Sequence, residues 1–163
     1  MLFYNAYILP IMDYCCHIWG KENKTYISKI GKIQTRICKS ILDMSFRTHS
    51  ENIYNELKIL SFNGRCTYHT AVLAYKILNN MSPLYLSESI SLSNNSSYNL
   101  RSKSHRDIVL FSTPRTNYFK DTFQYNSMRI WNSIPTNIRN ANSLNSFKTN
   151  FKTYLLQRES TNL

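Results

Sequence analysis

Two thiols and an imidazole stand side by side in Tyr14-Cys15-Cys16-His17-Ile18-Trp19-Gly20. Cys and His are the residue types that hold zinc or cycle a disulfide, so this stretch raises metal and redox chemistry first. A zinc site needs roughly four ligands, usually supplied as two close pairs such as Cys-x2-Cys and His-x3-His. Neighbours on a helix point about 100° apart, so Cys15, Cys16 and His17 do not converge on one ion without distorting the backbone. Cys38, His49, Cys66, His69 and His105 are scattered singly. Cys66 and His69 lie one helical turn apart, a spacing open to Cys/His nucleophilic chemistry and equally to helix packing. No Cys-x-x-Cys is present, and four cysteines without repeated spacing fit a reducing compartment, where thiols pack as small hydrophobes. The expectation is no metal and no cofactor.

Other chemistry fares no better. Gly20, Gly31 and Gly64 are isolated, which excludes a glycine-rich phosphate loop. Two-metal phosphoryl transfer needs clustered carboxylates, and the nine acidic residues never come closer than five positions apart. No catalytic residue is assigned, and the chain is not expected to be an enzyme on its own.

The charge points to a partner instead. Twenty Lys and Arg against nine Asp and Glu give a formal charge of +11, which favours a polyanion such as nucleic acid or an anionic membrane surface. A basic soluble domain with no such partner has the same composition. No apolar run reaches the roughly 18 to 20 residues of a membrane span, and Pro10 and Asp13 interrupt what would be a signal peptide. The expected location is cytoplasmic or nuclear, not secreted, with no small-molecule substrate.

The elements that would position these residues are mostly helical. Residues 2–19 are apolar on nearly every side, which predicts a buried helix interrupted or kinked at Pro10. Residues 24–42 place Ile27, Ile30, Gln34, Ile37 and Ile41 on one face and Lys29, Lys32, Arg36 and Lys39 on the opposite one. That basic stripe can track a phosphate backbone or simply face water. Thr48-His49-Ser50-Glu51 fits a capping box for a helix to about Leu57. Ser61 or Asn63 can cap the next helix, where Tyr68, Ala71, Val72, Tyr75 and Leu78 share a face.

Residues 87–106 shift to Ser, Asn and basic side chains and read as a linker. Beyond it, Ile108–Phe111 and Thr116–Phe119 are strand candidates, a helix runs from near Asp121 to Pro135, and a last helix follows Ser143. Leu144, Phe147, Phe151, Tyr154 and Leu155 would face inward. Residues 101–158 carry ten basic side chains against Asp107 and Asp121, interleaved with aromatics including Tyr98, Phe111, Tyr118, Phe119, Phe123, Tyr125 and Trp131. That mixture suits single strands, by pairing phosphates and stacking bases, and equally suits an aromatic core with a basic rim.

An ordered set of short motifs adds a lineage. Leu2-Phe3-Tyr4-Asn5, Ile8-Leu9-Pro10, Tyr14-Cys15 and Ile18-Trp19-Gly20 resemble the segment after the polymerase palm in jockey-like, non-long-terminal-repeat retrotransposon reverse transcriptases. Ile33-Gln34-Thr35-Arg36, then Tyr68, Ala74-Tyr75-Lys76 and Asn79 through Tyr85-Leu86, resemble the next motifs in order. Tyr98-Asn99-Leu100-Arg101-Ser102, Pro114-Arg115-Thr116-Asn117-Tyr118, Ile130-Trp131-Asn132-Ser133-Ile134-Pro135 and Ser143-Leu144-Asn145-Ser146-Phe147-Lys148 complete the series. The resemblance covers essentially the whole chain and implies the thumb, and the region after it, of an RNA-directed DNA polymerase. The expected fold is mainly α: a thumb-like helical bundle at 1–86, the linker at 87–106, and a small α+β segment with short strands at 107–163.

It further implies that Lys29, Lys32, Arg36 and Lys39, aided by Arg101, Lys103, Arg106 and Arg115, contact a template–primer duplex of RNA or DNA. Tyr14, Cys15, Ile18, Trp19 and Trp131 are then expected to pack the structure. The family's palm box, with its magnesium-binding aspartates, and its endonuclease are not in this sequence. Met1 falls where the family has interior sequence, so a truncated element copy or partial gene model, lacking its palm partner, is expected. The alternatives are a structural remnant without function and a co-opted nucleic-acid-binding regulator.

Overall fold

The computed structural model describes residues 1–20, 24–45, 47, 50–90 and 116–161. These residues are mainly helical, with no strand among them, and none of their helices is long and apolar enough to cross a membrane. The chain divides into two compact units, Met1–His69 with Lys152–Leu163, and Thr70–Phe151.

In the first unit the N-terminal apolar run is helical but broken. A π-helical turn, Tyr4–Ile8, leads into α1, Leu9–Asp13, and α2 follows at Cys16–Trp19. The helix changes from π to α at Leu9–Pro10, next to the expected interruption, because Pro10 has no N–H to continue the ladder of the turn before it. A second break comes at Tyr14–Cys15, where Cys15 adopts the left-handed conformation with φ 51°. Burial on nearly every side is corrected. Tyr4, Met12 and Cys16 are buried, whereas Leu2, Phe3, Tyr7, Ile11, Tyr14 and Ile18 are exposed. Phe3, Tyr7 and Ile11 recur every four residues along the unbroken helical stretch, so they form one apolar strip, and Tyr14 and Ile18 are exposed beyond it.

α3, Lys24–Ile41, follows its predicted span, and α4 occupies Ser50–Leu57. Thr48 and His49 of the expected capping box lie outside the described residues. On the inward face of α3, Gln34 is completely buried. Its Nε2 donates to Tyr4 Oη at 3.1 Å and to the Leu60 carbonyl at 3.0 Å, while the Tyr54 hydroxyl reaches Gln34 Oε1 at 3.5 Å. A polar side chain survives on an apolar face because its hydrogen-bonding groups are used.

α5, Phe62–Leu78, is capped as the sequence suggests: Ser61 Oγ accepts from the Gly64 N–H at 3.1 Å. Glu159, from α10 (Leu144–Thr161), strengthens that cap by accepting from Ser61 N–H at 3.1 Å and Ser61 Oγ at 2.6 Å. A carboxylate there meets the positive end of the helix dipole. The apolar centre of this unit is Met12, Cys16, Phe62 and Cys66, with Ile8, Trp19, Ile27 and Ile30 packed around it.

Gly20 ends α2 against this centre. A Cβ at residue 20 would strike the Cys16 carbonyl oxygen and lie 2.6 Å from Cys66 Sγ. Gly20→Ala is therefore expected to lower stability by about 1 to 3 kcal/mol, read by urea denaturation, because neither a backbone atom nor a packed thiol can yield cheaply.

The second unit contains Thr70–Leu78 of α5, α6 (Leu84–Ser89), α7 (Asn117–Asp121), α8 (Phe123–Ser133), α9 (Thr136–Arg139) and Leu144–Phe151 of α10. Asn80 takes the left-handed conformation just past α5, a common helix ending. Thr122 Oγ1 accepts from Tyr125 N–H to start α8, and Ser143 Oγ accepts from Ser146 N–H to start α10. The core is aromatic. Tyr75, Trp131, Phe147 and Phe151 are buried; the Tyr75 and Phe147 rings stack at 4.5 Å, and Trp131 stacks on Phe147 at 5.9 Å. The Tyr75 hydroxyl donates to the Ala141 carbonyl at 2.8 Å.

The expected short C-terminal strands need correction where they can be placed. Residues 117–119 open α7, with Thr116 extended before it, and Ile108–Phe111 lies outside the described residues. The head of the expected linker, residues 87–89, is helical in α6, and 91–106 lies outside the described residues.

Candidate nucleic-acid interface

The α3 face opposite Ile27, Ile30 and Gln34 carries the basic side chains. Lys29, Lys32 and Arg36 are exposed there, but Lys39 is buried at 8% exposure, which corrects the four-residue stripe to three outward cations. Lys39 lies toward the buried edge of the helix, next to the completely buried Cys38. Tyr26 supplies something that charge spacing alone missed: it is exposed, one turn before Lys29, with the Lys29 Nζ 5.3 Å from its ring centroid. The signal was available as an aromatic at i−3 to the first cation. Together these residues offer three phosphate partners and a ring able to take a cation or a base. Lys29 to Arg36 spans about 10 Å of helix, or about three nucleotide steps of one duplex strand.

Arg101, Lys103, Arg106 and Arg115 lie outside the described residues. Of the aromatics proposed for stacking, Trp131 is a core residue, Phe119, Phe123 and Tyr125 are half-buried, and Tyr118 is exposed. The residues expected to pack the N-terminal helix also divide. Tyr14 and Ile18 face outward, a correction, because the turn at Cys15 redirects the chain. Cys15 itself is half-buried, and Trp19 is half-buried, stacked on Phe62 at 5.4 Å with its Nε1–H donating to the Tyr14 carbonyl at 2.7 Å.

A second polar group lies in this unit, on the side of α3 away from the cations. Asp13, at the end of α1, accepts from Arg65 Nε at 2.6 Å and forms an ion pair with Arg65 Nη2. Its Oδ2 is 3.4 Å from His69 Nε2. Burial alone would raise the Asp13 pKa, but His69 and Arg65 more than offset it and hold the carboxyl below its ordinary range. Cys16 is fully buried with its thiol in hydrogen-bonding reach of Cys66; that bond and burial push its pKa up, so Cys16 is a neutral thiol. Burial likewise pushes Cys38 up to about 11. Neither is a ready nucleophile at neutral pH.

Comparison with protein-family models, with curated proteins and with solved structures finds no match.

Proposed function

We propose that this chain corresponds to the thumb and post-polymerase region of a jockey-like retrotransposon reverse transcriptase, and that α3 holds the template–primer nucleic acid non-specifically. The observation that carries the reading is the ordered motif set running from Leu2-Phe3-Tyr4-Asn5 to the closing Ser143–Lys148 segment. The mainly helical fold and the three outward cations of α3 support it. In this reading Lys29, Lys32 and Arg36 neutralise phosphates, with Arg101, Lys103, Arg106 and Arg115 contributing from the segment before α7. Chemistry belongs to a palm whose aspartates this sequence lacks, so the chain does not polymerise DNA by itself. The apolar strip of Phe3, Tyr7 and Ile11 is then the side that meets the palm.

That strip also favours a second reading, a remnant without function, because an uncovered apolar surface of this kind drives self-association. A mobility-shift titration with a labelled RNA–DNA duplex distinguishes them. At low salt the chain is expected to bind with a Kd of about micromolar order. Absence of any shift for either RNA or DNA from a monodisperse preparation would overturn the proposal, and an aggregated preparation would favour the remnant.

A further inference from the structure

The sequence pairs Asp13-x2-Cys16 and Cys66-x2-His69 are far apart in the chain. The fold brings them together. The left-handed turn at Cys15 carries the chain from Asp13 to Cys16, and Cys66 and His69 are one turn apart on α5. One ligand atom each from Asp13, Cys16 and His69 lie within 4.8 Å of one another, and the Cys66 thiol is in hydrogen-bonding reach of Cys16.

We propose that Asp13, Cys16 and His69 form a zinc site that fastens the N-terminal segment to α5, with the Cys66 thiol beside the Cys16 ligand. Four arguments support it. The first is spacing: two N or O ligands at about 2.0 to 2.2 Å from a tetrahedral zinc stand about 3.3 to 3.5 Å apart. Asp13 Oδ2 and His69 Nε2 are separated by 3.4 Å. The second is an unmet need, since His69 Nε2 is shut off from solvent and has no hydrogen-bond partner. The ion pairs of Asp13 with Arg65 and His69 account for the other groups, and at 3.4 Å the Asp13 oxygen is near this nitrogen without forming a hydrogen bond to it; a bound cation between the two satisfies both.

The third is the donor set. One sulfur, an imidazole nitrogen and one carboxylate oxygen suit zinc with a fourth position open, and are a poor match for magnesium or calcium. The fourth is charge. Zinc binding displaces the Cys16 proton to solvent, so the ion's two positive charges meet that thiolate and the Asp13 carboxylate. Arg65 fixes the carboxylate through both oxygens, Nε at 2.6 Å from Oδ1 and Nη2 on Oδ2, and Oδ2 also faces His69 Nε2, while Tyr68 stands edge-on to the His69 ring at 5.3 Å.

The test uses the full chain, reduced and stripped of metal by a chelator, then titrated with Zn²⁺ alone and with Co²⁺ alone. One ion per chain is expected. The cobalt form should show a thiolate-to-metal charge-transfer band with the intense visible absorption of a tetrahedral site, and zinc should raise the melting temperature. Cys16→Ser and His69→Gln, each checked for helicity by circular dichroism, should weaken cobalt binding about a hundredfold or more. Cys15→Ser and Cys38→Ser should bind as the parent chain does. A folded parent chain giving no cobalt–thiolate band would overturn the site, as would undiminished binding by Cys16→Ser and His69→Gln. Nucleic-acid binding does not enter this readout, so either proposal can fail without the other.

Discussion

Trp131→Ala is expected to lower stability by about 3 to 5 kcal/mol, the usual cost of removing a completely enclosed indole. The ring has no exposed surface and packs beside the Tyr75–Phe147 stack, with centroids 6.4 and 5.9 Å away. Its loss opens a cavity that these rings, fixed by the Tyr75–Ala141 hydrogen bond and by the stack of Phe147 on Phe151, cannot collapse to fill. Thermal unfolding should show a midpoint roughly 10 °C lower. Trp131→Phe should recover about half of the difference, because it restores much of the buried apolar area. Trp19→Ala is expected to cost about 2 kcal/mol, less than the same change at Trp131, because that ring is half-exposed and touches the core along one face. An equal effect at both positions would contradict the assignment of Trp131 as the anchor of the second unit.

The next largest effect belongs to Asp13→Ala. Arg65 keeps only 15% of its side chain exposed and Asp13 only 18%, so removing the carboxylate strands a mostly buried guanidinium. A loss of about 3 kcal/mol at neutral pH is expected, toward the lower end for a broken buried pair because some solvent reaches both groups. The sign with pH follows from the depressed Asp13 pKa. A carboxyl whose folded pKa lies below its unfolded value, about 3.9, contributes stability that is present above that value and lost as pH falls through the folded one. In chelator-treated protein, the gap between parent and Asp13→Ala should therefore be full at neutral pH and shrink below about pH 4. A gap that stays constant down to pH 2 would show that Asp13 is not ionised in the folded chain.

How much of this was legible differs by element. α3 and α10 stood out because their apolar side chains recur at helical spacing, and because Ser143 is a recognisable cap. Phe147, Phe151 and Leu155 are indeed buried along α10, with Leu144 and Tyr154 half-buried. The N-terminal segment was misread because a run that is apolar all round gives no direction. Pro10 marks the change from π to α helix, whereas the sharper break, a left-handed Cys15, has no signature in its residue type. Trp131 could be assigned to the structure, although aromatic interleaving with cations had also suggested base stacking.

The candidate sites divide along the same line. Lys29, Lys32 and Arg36 were legible because one helix positions all three, and Lys39 failed because burial at the end of α3 depends on neighbours that the local period does not encode. The Asp13–Arg65 pair joins residues 52 positions apart, and Cys16 meets Cys66 across a similar interval. Cys66 and His69 are visible as a one-turn pair, but their partners are not: Asp13 and Cys16 lie about 50 positions away, and adjacency in the sequence joins Cys16 to Cys15 and His17 instead. Tertiary folding regroups it with residues on a distant helix.

The central claim, that α3 contacts phosphates through three outward cations, is tested most directly by the salt dependence of duplex binding. Each phosphate contact contributes about 0.9 to the slope of log K against log salt on duplex DNA. Replacing Lys29, Lys32 and Arg36 together by Ala, in a variant of unchanged helicity, is predicted to flatten that slope by about 2.7 and to weaken binding at low salt. A triple variant that keeps the parent slope and affinity would contradict the account and place the nucleic-acid contact, if any, elsewhere in the chain.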